Sequence, residues 1–408
     1  MQKNWINTLD TAIQEDQNKQ RLIAYFIANG ASSIANMAKE VGLSVPTVTK
    51  LLKELRAIEY VAPIEKSKET GTWNATLYHL NPGRGYFLGV DVKHNRVILT
   101  LTDFQINIVK SETIMHYTLW ENDESQKDLF AIIKTFLSEI SEQSERIIAI
   151  GFSIPGRIDS YRGISYSCFY NDKIPFTQAV EDYFHIPAMI DNDTRCMGYG
   201  EYMQGAGKGA RNVIYANISW GIGVAMIINR EIYYGKSGFS GEYGHFSVFD
   251  NEIVCVCGKK GCLETEASGR AVHRKFMAEL KKGRGSIIHK MIPNTDEIML
   301  NDILEAARRE DVLAIEVIQE TGRILGKHLA GLLNLFNPDV LVLGGTVGRM
   351  GNYIAYAIKS SLMQYSLNYV NNDTEICFAE LDDISTSLGS CLLTRSKWLG
   401  LIKLHEHD

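Results

Sequence analysis

Four residues within one short stretch, GHFSVFDNEIVCVCGKKGC, carry donor atoms that suit a single metal ion: His245, Cys255, Cys257 and Cys262. Three thiolates and an imidazole form the ligand set of a closed tetrahedral zinc site, and such donors favour Zn2+ over hard cations such as Mg2+. An iron–sulfur cluster usually takes four thiolates. Gly258 and Gly261 let the chain turn sharply enough for Cys257 and Cys262 to face one ion. With four protein ligands no coordination position stays open, so the ion is expected to brace the loop and not to activate water. The remaining cysteines are scattered, which points away from a disulfide framework and toward a reducing cytoplasm.

The elements that must position this cluster fill a long chain. At 408 residues it exceeds one compact core, so two or three domains are expected. No apolar run approaches the roughly 18 residues of a membrane span, and MQKNWINTLDTAIQEDQ lacks the apolar core of a signal peptide. Membrane insertion and export are therefore not expected. The net charge of −6 is uneven. Ten basic residues face eight acidic ones through Gly85, against 32 and 40 in the remainder, so the head alone is suited to DNA.

Three short helical patterns open the chain. Leu22, Ile23, Phe26 and Ile27 mark one apolar face; Ile34, Ala35, Ala38 and Val41 mark a second. Gly42 then allows a tight turn, Ser44 can cap a third helix, and Val48, Leu51, Leu52 and Leu55 recur at helical spacing. Two helices joined by a Gly-containing turn form a helix-turn-helix. The following segment, YVAPIEKSKETGTWNATLYHLN, reads as two strands around a polar loop, the shape of a wing. Ser44, Thr47, Thr49 and Lys50 lie off the apolar stripe at the start of the third helix, as candidate DNA contacts. Each is equally a polar residue on a solvated face. Lys66 and Lys68 can meet phosphates from the wing.

From Gly83 the pattern changes. YFLGVDV, RVILTLTDF and NIVKSETIMHY are strand-like; a helix follows near 124–141, then a buried strand, RIIAIGFSIPG. AMIDND precedes a helix to about 204, RNVIYANIS and GVAMIINR read as paired strands, and two helices cover about 299–336. DVLVLGG and TEICFAEL are further strands, and TSLGSCLLTRSKWL is a closing helix. This alternation indicates an α/β body with its ligand site at the carboxyl ends of the strands.

The zinc segment resembles the signature of the ROK family of bacterial sugar kinases and sugar-responsive repressors: Glu-x-Gly-His, then Cys-x-Cys-Gly-x-x-Gly-Cys-x-Glu, both intact here. IGFSIPGRID, IDNDTRCMGYGE and LVLGG extend the resemblance along the chain. It implies an actin-like ATPase (ribonuclease H-like) two-lobed body behind a winged helix-turn-helix head. The expected division is 1–82 for the head, 83–200 for a first lobe to which helix 384–400 returns, and 201–383 for a second lobe carrying the metal. The resemblance further implies a sugar in the cleft between lobes. Gly156 and Arg157 match its closing loop, Asn192 and Asp193 the family's Asn-Asp pair, and Glu242, His245 and Glu264 the sugar-contacting residues around the zinc. Carboxylates and amides suit a polyhydroxylated ligand because each takes paired hydroxyl hydrogen bonds. His245 would give one ring nitrogen to the metal and the other to the sugar.

Family kinases carry a first phosphate loop, Asp-x-Gly-Gly-Thr, whose aspartate remains here while Lys93, His94, Asn95 and Arg96 replace the rest. Without glycine the backbone cannot approach a phosphate closely. The second loop, normally Gly-Thr-Gly-x-Gly, reads Ser219-Trp220-Gly221-Ile222-Gly223, with a bulky tryptophan in the phosphate region; Gly344 and Gly345 keep the nucleotide-side pattern. The expected function is a non-enzymatic, sugar-responsive transcriptional regulator of carbohydrate genes. Its expected partners are double-stranded operator DNA, a sugar or sugar phosphate, and further copies of itself in a homodimer or dimer of dimers. In that reading Asp193, the base of the kinases, serves only to bind ligand. An ATP-dependent sugar kinase with an appended DNA-binding head is the alternative.

Overall fold

In a computed structural model of the chain, residue 13 and residues 16–64, 76–119, 123–170, 173–381 and 383–402 are described. The head follows from its caps. Asp16 accepts hydrogen bonds from the amides of Asn18 and Lys19 (2.9 and 3.3 Å) and starts the helix Gln17–Asn29. Ser33 caps Ile34–Val41, and Ser44 caps Val45–Ala57, with Pro46 in the first turn. Gly42, at φ 67°, supplies the left-handed turn between them. Leu22, Ile23 and Phe26 of the first helix and Val48, Leu51, Leu52 and Leu55 of the third are all buried. One face differs from expectation: Ala35 is exposed and Met37 is buried, because the helix starts at Ile34 and its inward positions fall three, four and seven residues on. Val61–Pro63 and Leu77–Leu80 pair antiparallel, and Ser32–Ser33 joins the second of them. Lys66, Lys68 and the stretch 70–74 of the wing lie outside the described residues.

The chain divides into two compact units, Met1–Cys196 with Thr386–Asp408, and Met197–Ser385. In the first, the sheet runs Ala188–Asn192, Ile147–Ile154, Tyr86–Val92, Val97–Asp103, Ile108–Ile114; the first three strands are parallel and the last two join antiparallel. In the second, Glu231–Ile232, Ile222–Ile228, Val213–Ile218, Val340–Gly344 and Glu375–Phe378 follow one another. Numbered by appearance, both sheets run 3-2-1-4-5, with parallel and antiparallel pairs in the same places. Two lobes of related design thus repeat one α/β plan. Among the described residues no helix is long and apolar enough to cross a membrane.

The closing helix, Ser385–Trp398, lies directly on the first sheet. A Cβ on Gly89 would sit 2.0 Å from the backbone oxygen of Ser387, and one on Gly151 would sit 2.0 Å from Thr394 Oγ1. The backbone at Gly89 has nowhere to yield. Gly89→Ala is therefore expected to destabilise the protein by about 3 kcal/mol in urea unfolding; a loss below about 0.5 kcal/mol would contradict this packing.

Candidate functional site

The metal cluster assembles from two turns of the second unit. Tyr243–His245 forms a short 3-10 turn, held because Gly241, at φ 89°, accepts the amide of Val224 at 3.0 Å. The cysteine knuckle closes through Cys255 N to Lys259 O (2.8 Å) and Gly258 N to Cys255 O (2.9 Å). Gly258 and Gly261 have φ values of 82° and 75°, the left-handed region glycine tolerates, and a Cβ on Gly261 would lie 2.1 Å from the carbonyl oxygen of Phe249. One ligand atom from each of His245, Cys255, Cys257 and Cys262 lies within 4.8 Å of the others. Cys255 Sγ is 3.5 Å from His245 Nδ1, and Cys257 Sγ is 3.6 Å from Cys262 Sγ. Tetrahedral zinc with Zn–S of about 2.3 Å puts neighbouring sulfurs roughly 3.7 Å apart, so the donor set fits that ion. Burial pushes the Cys255 thiol up to about 12, and a bound cation would offset the charge of its thiolate.

With Nδ1 among the thiols, His245 Nε2 faces Glu242, 3.6 Å from Oε2, and both side chains are partly exposed. One ring nitrogen thus faces a thiol and the other a carboxylate. Glu264 has partners on both of its oxygens within the second unit. It is buried, and its Oε2 accepts the amide of Ile222 at 3.1 Å, while Oε1 lies 3.8 Å from Cys255 Sγ. This carboxylate ties the metal loop to the strand that starts at Ile222.

In the first unit, the strand Ala188–Asn192 delivers Asn192 and Asp193 to its carboxyl end, where the helix Asp193–Gln204 begins. Asn192 Oδ1 accepts the amides of Thr194 and Arg195, and its Nδ2 donates to the Gly156 carbonyl at 2.9 Å. Gly156 is at φ 91°, and a Cβ there would lie 2.4 Å from Ser167 Oγ. Gly156, Asn192 and Asp193 are therefore brought together, while the Arg157 side chain is exposed.

Asp91 is fully buried beside them, with Lys93 Nζ 3.3 Å from its Oδ2 and Ser153 donating to Oδ1 at 3.4 Å. Burial pushes its carboxyl up to about 6, with Lys93 opposing and the Asp193 charge adding to the rise; burial raises Asp193 as well. A folded value above the unfolded 3.8 means the native state holds an extra proton between about 4 and 6, so this group's contribution to stability falls as pH climbs through that window. Asp91→Asn is expected to gain on wild type from pH 4 to pH 7, by at most about 3 kcal/mol in urea unfolding. A difference that stays constant across that range would contradict the assignment.

The sequence reading missed a third acid. Asp191 is buried between Arg195 Nε at 2.6 Å and Lys397 Nζ at 2.7 Å, all three side chains being nearly inaccessible. Burial alone would raise its carboxyl, but the two cations hold it below the ordinary carboxylate range. The signal present was Asp-x-x-x-Arg across a strand-to-helix junction; Lys397 stands 206 residues away.

At the phosphate-loop positions, Lys93 N bonds to Arg96 O at 2.9 Å, closing a tight hairpin. The Trp220 ring is 43% exposed and lies against Arg270, 5.6 Å from the ring centroid, and His273. On the head, Ser44 Oγ is within 2.7 Å of Thr47 Oγ1 and 3.3 Å of its amide, and Thr49 Oγ1 donates to Val45 O at 2.8 Å. Ser44, Thr49 and Lys50 are exposed, and Thr47 is half-buried. Lys50 has Glu54 4.0 Å away.

A winged helix-turn-helix DNA-binding model matches residues 15–62. The chain is 28% identical to the xylose repressor of Bacillus spizizenii over 97% of its own length and 99% of that protein's. It is 27% identical to the DNA-binding transcriptional dual regulator NagC of Escherichia coli, over 92% of each chain. A ROK family transcriptional regulator, a homologue of the E. coli MLC protein, superposes with a TM-score of 0.80 at 24% identity, over 98% of both chains. A ROK glucokinase from Streptomyces griseus, solved with glucose and AMPPNP, covers 76% of this chain and 99% of its own with a TM-score of 0.65 at 26% identity. The sequence model of the ROK family matches residues 87–397, and the chain belongs to that family.

Proposed function

We propose that this protein is a sugar-responsive transcriptional repressor of carbohydrate uptake or catabolism genes, and that it does not phosphorylate its ligand. The observation that carries this reading is a winged head built into the same compact unit as the Asn192–Asp193 strand end. The named relatives, a xylose repressor and NagC, match the chain from head to body. Ser44, Thr47, Thr49 and Lys50 meet operator DNA from the helix Val45–Ala57, and a homodimer or dimer of dimers presents two heads to a palindrome. Gly156, Arg157, Asn192, Asp193, Glu242, His245 and Glu264 bind a sugar or sugar phosphate through carboxylates, amides and one imidazole.

Zinc, held by His245, Cys255, Cys257 and Cys262, would supply rigidity and fix the imidazole tautomer. What argues against a kinase is the Lys93–Asp91 ion pair in a tight hairpin at the first phosphate-loop position. An ATP-coupled phosphorylation assay with Mg2+ over hexoses, xylose and N-acetylhexosamines is expected to give no turnover. Robust turnover with any of them would establish the kinase alternative.

A further inference from the structure

We infer that Lys397 and Trp398, adjacent residues in the last turn of the closing helix, are positioning residues that join the sugar-side strand end to the DNA-reading head. The inference rests on the repressor reading above and adds the physical connection it needs.

Lys397 faces the site. Its ammonium donates to Asp191 Oδ2 at 2.7 Å, and Asp191 directly precedes Asn192 and Asp193. Asp191 Oδ1 takes both the Arg195 guanidinium (2.6 Å) and the Asn192 amide (2.8 Å). The strand end, the first turn of the following helix and the closing helix therefore share one carboxylate. Leaving any of these buried charges without its partner is strongly unfavourable, so a displacement of Asp191 must carry Lys397 with it.

Trp398 faces the head. Successive helical residues point about 100° apart, so neighbours in the chain can address different partners. Trp398 Nε1 donates to Tyr60 Oη at 3.4 Å, and Tyr60 is fully buried. The amide of Tyr60 bonds to the carbonyl of Leu55, at 2.9 Å, in the last turn of the helix Val45–Ala57. Its carbonyl takes the amide of Asn81, at 2.9 Å, beside the wing strand Leu77–Leu80. One tyrosine thus holds both the helix offered to DNA and the base of the wing. Arg395 reinforces the connection: its Nη1 donates to Phe104 O at 3.2 Å, and the Phe104 ring meets Tyr60 edge-on at 5.1 Å. Gln20 of the first head helix reaches Gly400 O at 3.5 Å.

A sugar that reorders Asn192 and Asp193 therefore acts on the head through two side chains of a helix buried along most of its length. Lys397→Met should uncouple the two ends, Lys397→Arg should restore the ion pair, and Trp398→Phe removes only the indole N–H. The test uses the full chain and an operator duplex selected from a random pool by the wild-type protein. Operator affinity is measured by fluorescence anisotropy with and without D-xylose or N-acetyl-D-glucosamine, and sugar affinity by calorimetry. In wild type one of these sugars should change operator affinity at least about tenfold. In Lys397→Met that ratio should fall below about twofold while each separate affinity stays within about threefold; Lys397→Arg should recover it, and Trp398→Phe should lose at least about threefold of the ratio.

Full coupling in Lys397→Met and Trp398→Phe would overturn the inference and leave the repressor reading standing. Should Lys397→Met not fold, Trp398→Phe alone decides. A wild-type protein whose DNA affinity ignores both sugars and the wider sugar panel would overturn the two readings together.

Discussion

Cys262→Ser is expected to strip the metal and weaken sugar binding at least about tenfold, with operator affinity held within about threefold of wild type. The asymmetry follows from where the ligands lie. All four donors belong to the unit Met197–Ser385, whereas the head belongs to the other. Cys262 is fully buried, and two residues later Glu264 binds the amide of Ile222. Losing the ion frees the knuckle, the imidazole of His245 and the carboxylate beside it, the groups assigned to the sugar. Metal content by atomic absorption, sugar affinity by calorimetry and operator affinity by anisotropy separate the effects. Unchanged sugar affinity in a folded, metal-free Cys262→Ser or His245→Ala protein would contradict any link between metal and ligand.

Asp193→Ala is expected to cost about a hundredfold in sugar affinity. A charged acceptor contributes about 1.5–3 kcal/mol per hydrogen bond, and 2.7 kcal/mol is roughly a factor of 100. Stability should not fall with it, because removal relieves a desolvated charge near Asp91, and the Thr194 amide that Asp193 Oδ1 accepts at 2.7 Å keeps Asn192 Oδ1 as a second acceptor at 3.0 Å. The variant should therefore melt at or above the wild-type temperature, bind operator normally and ignore sugar. Asn192→Ala should behave differently. It removes the acceptor for the Arg195 amide and the bond to Gly156 O, so about 1 kcal/mol of stability should go with the affinity. Equal sugar affinity in Asp193→Ala and wild type would remove Asp193 from the site.

Much of this molecule was legible in its sequence because the relevant forces are local. Apolar runs such as YFLGVDV and VIYANI are central strands buried on both faces, and their composition says so. The metal ligands sit within eighteen positions, with glycines at the turns the knuckle requires. Ser44 was legible as a cap, yet the same hydroxyl was also read as a DNA contact, and local hydrogen bonds now occupy part of its capacity. The long helix Asn352–Tyr365 went unread although Ile354, Ala355, Ile358 and Leu362 form a buried stripe; its remaining positions mix tyrosine, serine and methionine, which blurs the period. The Asp191–Arg195–Lys397 cluster and the Tyr60–Trp398 bond were beyond reach for another reason. Each depends on the closing helix returning to the first sheet, and a contact across hundreds of residues leaves no periodic trace.

One titration shows whether a sugar bound to the body controls the grip of the head on DNA. A fluorescent operator duplex saturated with the zinc-loaded wild-type protein is followed by anisotropy while pentoses, hexoses, N-acetylhexosamines and their phosphates are added in turn. At least one is expected to shift operator affinity tenfold or more, with saturation and with no ATP present. An operator complex indifferent to every member of that panel would contradict this control of the head by a sugar.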